Sequence, residues 1–348
     1  MILADRKAIP LFYITLISIF LIGCGSSETV IEGPTMGTSY KVVVKTDKNI
    51  DSRLIRSEID SILNVVNKQM STYDESSEIS AFNNEKENVD FKISDHFFTV
   101  LDKSFYYYQE SKRLFDATIH PLYKLWGFQD KNDSNTEPSQ EKIDSALELV
   151  GMDLLEFRKD KKTISKKNSK ISIDLSAIAK GYAVDLISKY LNEKGYENHF
   201  VEIGGEIKVQ STGDENWEIG VQVPDFDKIN QVIDRIYLSN HSIATSGNYA
   251  NTIQYLSTGT ERTHIINPLT GTPLEVGDGM IASATVVSKE CVDADALATT
   301  LMLLDIDKGI NLIERLDATE AYIIYLKDSK LHTRETEGFK DYRSESKK

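Results

Sequence analysis

Asp295 and Thr299 stand four residues apart in the run Asp293-Ala294-Asp295-Ala296-Leu297-Ala298-Thr299. On a helix they share one face. A carboxylate and a hydroxyl on one face offer hard oxygens suited to Mg²⁺. The plainer alternative is an acid near a helix start and a Thr bonded back to a carbonyl. A second stretch, Ile173-Asp174-Leu175-Ser176-Ala177-Ile178-Ala179-Lys180-Gly181-Tyr182, ends a strand in an acid and starts a helix at once. A helix start presents unpaired N–H groups and a positive dipole end, which suits a phosphate. Lys180 in the first turn adds a positive charge. The Gly-rich cradle of a P-loop is missing. In Glu202-Ile203-Gly204-Gly205-Glu206 two glycines between apolar strand halves suggest close approach to a ligand, or only a bulge. Phosphoryl transfer needs neutralised phosphate oxygens and an aligned nucleophile, more than covalent help from protein. These residue types meet that need. His264 or Asp293 could orient or deprotonate the attacking nucleophile.

Five further stretches combine Gly, hydroxyl and charged residues. Thr35-Met36-Gly37-Thr38 also reads as a turn entering a strand. Ser71-Thr72-Tyr73, followed by Ser77 to Asn83, also reads as a helix end and a near capping box. Phe115-Asp116-Ala117-Thr118-Ile119, leading to Leu125-Trp126-Gly127-Phe128, also reads as a helix-to-loop corner. Ser246-Gly247-Asn248-Tyr249 precedes His264-Ile265-Ile266-Asn267-Pro268. Tyr73 offers a ring that can stack on a planar ligand or pack in a core, and Asp174 can bind a polar ligand edge or cap the adjacent helix.

The elements that must position these residues follow from periodicity. Tyr40 to Thr46 reads as a strand. Ser52 to Lys68, His96 to Glu110 and Ile143 to Val150 read as amphipathic helices. Ile171 to Asp174 reads as a short strand, and Ser176 to Lys194 as a helix with Ser176 as N-cap and Gly195 as its stop. From His199 to Val287 short apolar segments alternate with polar turns, as in a largely antiparallel sheet. Ala294 to Leu304 returns to helix and Tyr322 to Leu326 to strand. Asp130 to Pro138 and Arg158 to Lys170 read as exposed connections. Helices and strands do not alternate regularly, so the class is α+β.

The chain has 348 residues and a formal charge of −14, which argues against non-specific nucleic-acid binding. Arg6 and Lys7 precede an uncharged apolar run, Ile9 to Ile22, too short for a typical bilayer span. It ends Leu21-Ile22-Gly23-Cys24. Residues 1–23 are expected to be a lipoprotein signal peptide, with Cys24 lipidated and the domain on the extracytoplasmic side of a cell membrane. Residues 24–32 then read as a polar tether, 33–334 as the domain, and 335–348 as a polar, frayed tail. With Cys24 lipidated, Cys291 is left without an intrachain partner. No Cys/His cluster suggests zinc.

Taken in order, the eight stretches resemble the ApbE family, the FAD:protein FMN transferases, from about Gly33 to Lys327. The resemblance implies an α+β fold with a largely antiparallel sheet, flanking helices and an FAD cleft between subdomains. It implies that FAD is cut at its pyrophosphate, that FMN is joined by a phosphoester to a Thr or Ser of a target protein, and that AMP leaves. Flavin contacts would fall on Met36, Tyr73, Leu114, Phe115, Asp116, Asp174, Lys180 and Ile266. Mg²⁺ ligands would fall on the backbone oxygen of Ala177 and the side chains of Asp295 and Thr299, with His264 near the phosphates. Some members carry Glu where this chain has Lys180, so the local phosphate contact is expected to differ. Implied partners are subunits of sodium-pumping NADH:quinone reductases and related redox complexes. Asp278 to Thr285 only loosely echoes an acceptor segment, which points to an acceptor on another protein. An FAD pyrophosphatase and a non-catalytic flavin-binding lipoprotein remain open as alternatives.

Overall fold

The computed structural model describes residues 27–128, 136–224, 231–248, 252–255 and 257–343. The signal segment, Cys24 and most of the 130–138 connection lie outside the described residues. An eight-stranded sheet forms the centre, with strand order following chain order: Ser27–Thr35, Thr38–Thr46, His199–Ile203, Glu206–Gln210, Ser242–Gly247, Ile281–Ser288, Glu320–Lys327 and Lys330–Glu335. Every neighbouring pair is antiparallel. Strand Ile281–Ser288 is buried at every position, because both sheet faces are covered. Ala284 and Val286 point to a core made with helices Ser52–Met70, Ala179–Glu193 and Cys291–Leu303. Val287 points to a second core, closed by the ribbon Trp217–Gln222 with Val232–Leu238 and by Phe339. A third core of Leu122, Trp126, Ile143, Val150, Tyr255 and Ile266 supports a separate three-stranded sheet. The Trp126 indole donates to the Gly271 carbonyl (2.8 Å) and Tyr255 Oη donates to the Trp126 carbonyl (2.9 Å). Among the described residues no helix is long and apolar enough to cross a membrane.

The α+β class is as expected, but several local assignments differ. Residues 27–32, expected within a tether, pair with Thr38–Thr46 as an edge strand. Alternate side chains reach the core there: Ile31 is buried while Val30 is exposed. Residues 171–174 join no ladder; Asn83 clamps them instead, donating to the Ile173 carbonyl (2.9 Å) and accepting from Ile173 N–H (2.8 Å). Ser176 is not an N-cap. Its N–H goes to Asp174 Oδ1 (2.7 Å), and this tight turn delays the helix to Ala179. Gly195, at φ +76°, does end that helix. The 140–147 helix begins earlier than expected and ends before Val150. Within 158–170, Thr163–Lys166 is a strand, and the Lys166 ammonium is buried on the Asn83 and Ile171 carbonyls. The expected frayed tail packs as far as Arg343, which pairs with Asp234 and Glu335.

His199 carries one consequence of this packing. Its Nδ1 lies 2.7 Å from the Tyr196 carbonyl, which can only accept, so the proton sits on Nδ1. Nε2 then accepts from Ser188 Oγ (2.8 Å). Burial pushes the imidazole down to about 4. The unfolded chain takes up this proton near pH 6.5, the folded chain only near 4. Stability from this site is therefore complete above pH 6.5 and is lost as the pH falls towards 4. The loss is about 3 kcal/mol. Urea unfolding at pH 7 and pH 4.5 should show it, and His199→Gln should flatten the difference. An unchanged difference in that variant would count against the assignment.

Candidate active site

Four of the residues singled out from sequence line one cavity of about 320 Å³: Met36, Tyr73, Asp174 and Lys180, over a floor including Val66 and Met70. Each wall has a local cause. Met36 (φ +46°) and Gly37 (φ +74°) form the left-handed tip of the first hairpin. Ser71 ends helix Ser52–Met70 in extended backbone, and Tyr73 follows at the rim, 73% exposed. Asp174 is held by its own Ser176 turn, and its N–H donates to the Ala117 carbonyl (2.7 Å), docking segment 114–118 beside the cavity wall.

That segment does not itself line the cavity. Phe115 is a core residue packed edge-on against Tyr107, and Leu114 is half-buried. The Asp116 carboxylate turns inward to accept from Thr118 N–H (2.8 Å) and Thr118 Oγ1 (2.5 Å), and burial pushes it up to about 6. Ile266 belongs to the third core. His264, half-buried, lies where the strand register shifts between Arg262 and Ile266. Such a shift re-aims side chains. Its strand packs against the Asp295 helix.

Behind Lys180, on the side away from that cavity, lies a cluster of oxygen-bearing side chains. Asp295 is 3% exposed, and its Oδ2 accepts from Gly181 N–H at 2.9 Å. Continued helical bonding would return that N–H to the Ala177 carbonyl. Its diversion leaves the carbonyl for another partner. Thr299 lies on the Asp295 face as expected, with its hydroxyl 3.1 Å from Ser246 Oγ. Lys180, expected to add positive charge at the helix start, forms an ion pair with Glu206 while still lining the cavity, because a buried carboxylate needs a cation nearby. Burial and the neighbouring Asp295 push Glu206 up to about 8, and burial also raises Asp295. Glu206 Oε2 is buried without a hydrogen-bond partner among the described residues. A carboxylate, hydroxyls and a diverted carbonyl around an under-neutralised pocket fit a small hard cation.

Asp293 is not brought to this pocket. Two residues before Asp295 on a helix, it points roughly 200° away. Its carboxylate meets Lys103 Nζ at 2.6 Å, in a groove shared with Phe98 and Phe157. Of the two residues considered for activating a hydroxyl, Asp293 faces Lys103, and His264 lies on a strand that packs against the Asp295 helix. Two positioning features escaped the sequence. Glu206 sat in a noted motif without a role. Asp185 was unnoticed; its carboxylate accepts from Cys291 N–H and Val292 N–H (2.9 Å each) and so fixes the start of the Asp295 helix. Lys208, 2.8 Å away, neutralises it. A charged residue between Ile207 and Val209 in a buried strand was the available signal.

Known proteins share this sequence pattern and fold. A family model described as the ApbE family matches residues 36–323. An FAD:protein FMN transferase of Vibrio cholerae is 34% identical over 333 residues, covering 94% of this chain and 95% of that protein. One of Haemophilus influenzae is 33% identical over 344 residues, covering 96% and 98%. Among solved structures, the flavin transferase ApbE from Vibrio cholerae superposes with a TM-score of 0.80 at 32% identity, covering 91% of this chain and 99% of that one. The ApbE protein from Thermotoga maritima gives 0.79 at 28% identity, covering 91% and 100%.

Proposed function

The chain belongs to the ApbE family, and from that membership we propose that it moves the FMN unit of FAD onto a hydroxyl of a target protein. The observation that carries the proposal is the junction at Lys180 and Gly181. One residue lines the flavin-sized cavity and the next is bonded to Asp295 in the oxygen-rich pocket. In the reaction, the acceptor oxygen forms a bond to the FMN phosphorus as the bond from that phosphorus to the bridging pyrophosphate oxygen breaks. AMP leaves with that oxygen, and the hydroxyl proton is lost.

The residues divide this work. Met36, Asp174 and Tyr73 bind and orient the flavin nucleotide. Lys180, steadied by Glu206, places positive charge between cavity and pocket. Asp295, Thr299, Ser246 and the Ala177 carbonyl would hold Mg²⁺. When bound, that ion supplies charge neutralisation at the phosphate oxygens. His264 takes the acceptor proton. The acceptors are Thr or Ser residues of membrane redox subunits, such as those of sodium-pumping NADH:quinone reductases.

Hydrolysis is the second reading, because Tyr73 at 73% exposure leaves the cavity open to water. Incubation with FAD, Mg²⁺ and an acceptor domain separates the possibilities. The expected result is a mass gain of one FMN on the acceptor. Free FMN alone would mean a pyrophosphatase, and unchanged FAD a carrier.

Anchoring through Cys24 completes the proposal, supported by the apolar run ending Leu21-Ile22-Gly23-Cys24. It places the domain outside the cytoplasmic membrane, near redox subunits. Cys24→Ser should release the protein into the soluble fraction; retention in membranes would mean that the apolar segment itself is the anchor.

A further inference from the structure

Glu206 follows a turn in which Gly204 and Gly205 adopt φ of +62° and +110°, and it opens the strand Glu206–Gln210. This turn delivers a carboxylate from the sheet to the underside of the first turn of helix Ala179–Glu193. The side chain is only 4% exposed. One oxygen holds the Lys180 ammonium, while Oε2 is buried with no hydrogen-bond partner among the described residues. An unpartnered buried carboxylate oxygen is costly, so such an atom calls for a partner that completes it.

The neighbouring geometry indicates what that partner is. Lys180 and Gly181 are consecutive. The first meets Glu206 and the second meets Asp295. A strand and a helix therefore bring two carboxylates to one helical turn, against one ammonium. The Thr299 hydroxyl lies on the same helix face as Asp295, and Ser246 Oγ approaches it from the sheet at 3.1 Å. The pocket keeps excess negative charge and oxygen donors, which a divalent cation satisfies and a second protein cation among the described residues does not.

We propose that Glu206 is a positioning residue of this site, fixing the Lys180 ammonium at the wall of the flavin cavity and adding a second carboxylate to the pocket that receives a divalent cation. The inference rests on the cation reading of the Asp295 pocket given above. It has a directional consequence. Lys180 and the cation draw on the same carboxylates, so removing the acid and removing the base must shift cation affinity in opposite senses. A merely structural ion pair would not do this, since breaking it from either side disturbs the same packing.

The test uses the full chain with Mn²⁺ alone, without FAD, and reads free Mn²⁺ by electron paramagnetic resonance. Glu206→Gln keeps the shape and an oxygen for Lys180, and Mn²⁺ affinity should fall by about tenfold or more. Glu206→Asp, which restores the charge, should recover most of it. Lys180→Met should bind Mn²⁺ more tightly than the wild type. Unfolding midpoints of all variants establish that the fold persists. Unchanged affinity in Glu206→Gln beside a wild type that binds Mn²⁺ overturns this inference alone. A wild type that fails to bind Mn²⁺ overturns the cation reading and this inference with it.

Discussion

Asp295→Asn should lower FMN transfer by roughly 10³-fold while leaving the unfolding midpoint at or above that of the wild type. The two halves of this expectation have separate causes. Asn keeps a side-chain oxygen where Asp295 Oδ2 accepts the Gly181 N–H, so the tie between the two helices survives. It removes a negative charge from a buried site where burial already raises the carboxyl, so the folded state loses an unfavourable desolvation. The transfer reaction loses more. Neutralising charge at a reacting phosphate through a bound metal lowers the barrier by several kcal/mol, and ~1.4 kcal/mol is tenfold in rate. Asp295→Ala adds a second effect, because the buried Gly181 N–H then has no acceptor, a cost of about 1–3 kcal/mol. The Asn and Ala variants should therefore share the loss of turnover and differ in stability. Transfer rates at saturating Mg²⁺ and urea unfolding of both variants check this. A near-normal rate in Asp295→Asn would remove Asp295 from the chemistry and leave it as a helix tie.

What the sequence disclosed follows the range of the interactions involved. Asp295 and Thr299 were legible as a pair because the four-residue spacing is a local property of any helix. The sheet from His199 onward was legible because alternation records which side chains face a core. Asp293 misled for the same local reason: adjacency in sequence to Asp295 becomes opposition on a helix, and only the packed neighbour, Lys103, shows which face it took. Ser176 looked like an N-cap, yet Asp174 captured its N–H first, and two plausible caps cannot be ranked without the backbone path. Strand Ser27–Thr35 was hidden by its composition. As an edge strand it exposes most of its side chains and needs few apolar positions. The partner of Lys180 could not be read at all, since Glu206 arrives through a strand whose order in the sheet is set by long-range pairing.

Gly181→Ala should be strongly damaging for a change of one methyl group. A Cβ at this position would lie 2.3 Å from the Cys291 carbonyl oxygen and 2.8 Å from Asp295 Cβ. Both are atoms of the neighbouring helix near its backbone, so no side-chain rotation relieves the overlap. The helices cannot simply slide either. Asp185, one turn beyond Gly181, grips the N–H groups of Cys291 and Val292, and Lys208 holds Asp185 from the sheet. Two ties one turn apart leave no slack between the helices. Overpacking a tight core commonly costs 1–3 kcal/mol, and a rigid backbone contact belongs at or above the top of that range, about 3 kcal/mol. The same displacement pulls the Gly181 N–H from Asp295 and shifts Asp295 relative to Lys180, so turnover should fall even in the fraction that stays folded. Gly277→Ala is the matched control, because an added methyl there meets nothing within 4 Å. Urea unfolding should separate the two variants by several times the error of the measurement, with Gly277→Ala close to wild type. Equal stability in the two would mean that the helices part more easily than their ties imply, and that Gly181 is not what sets their spacing.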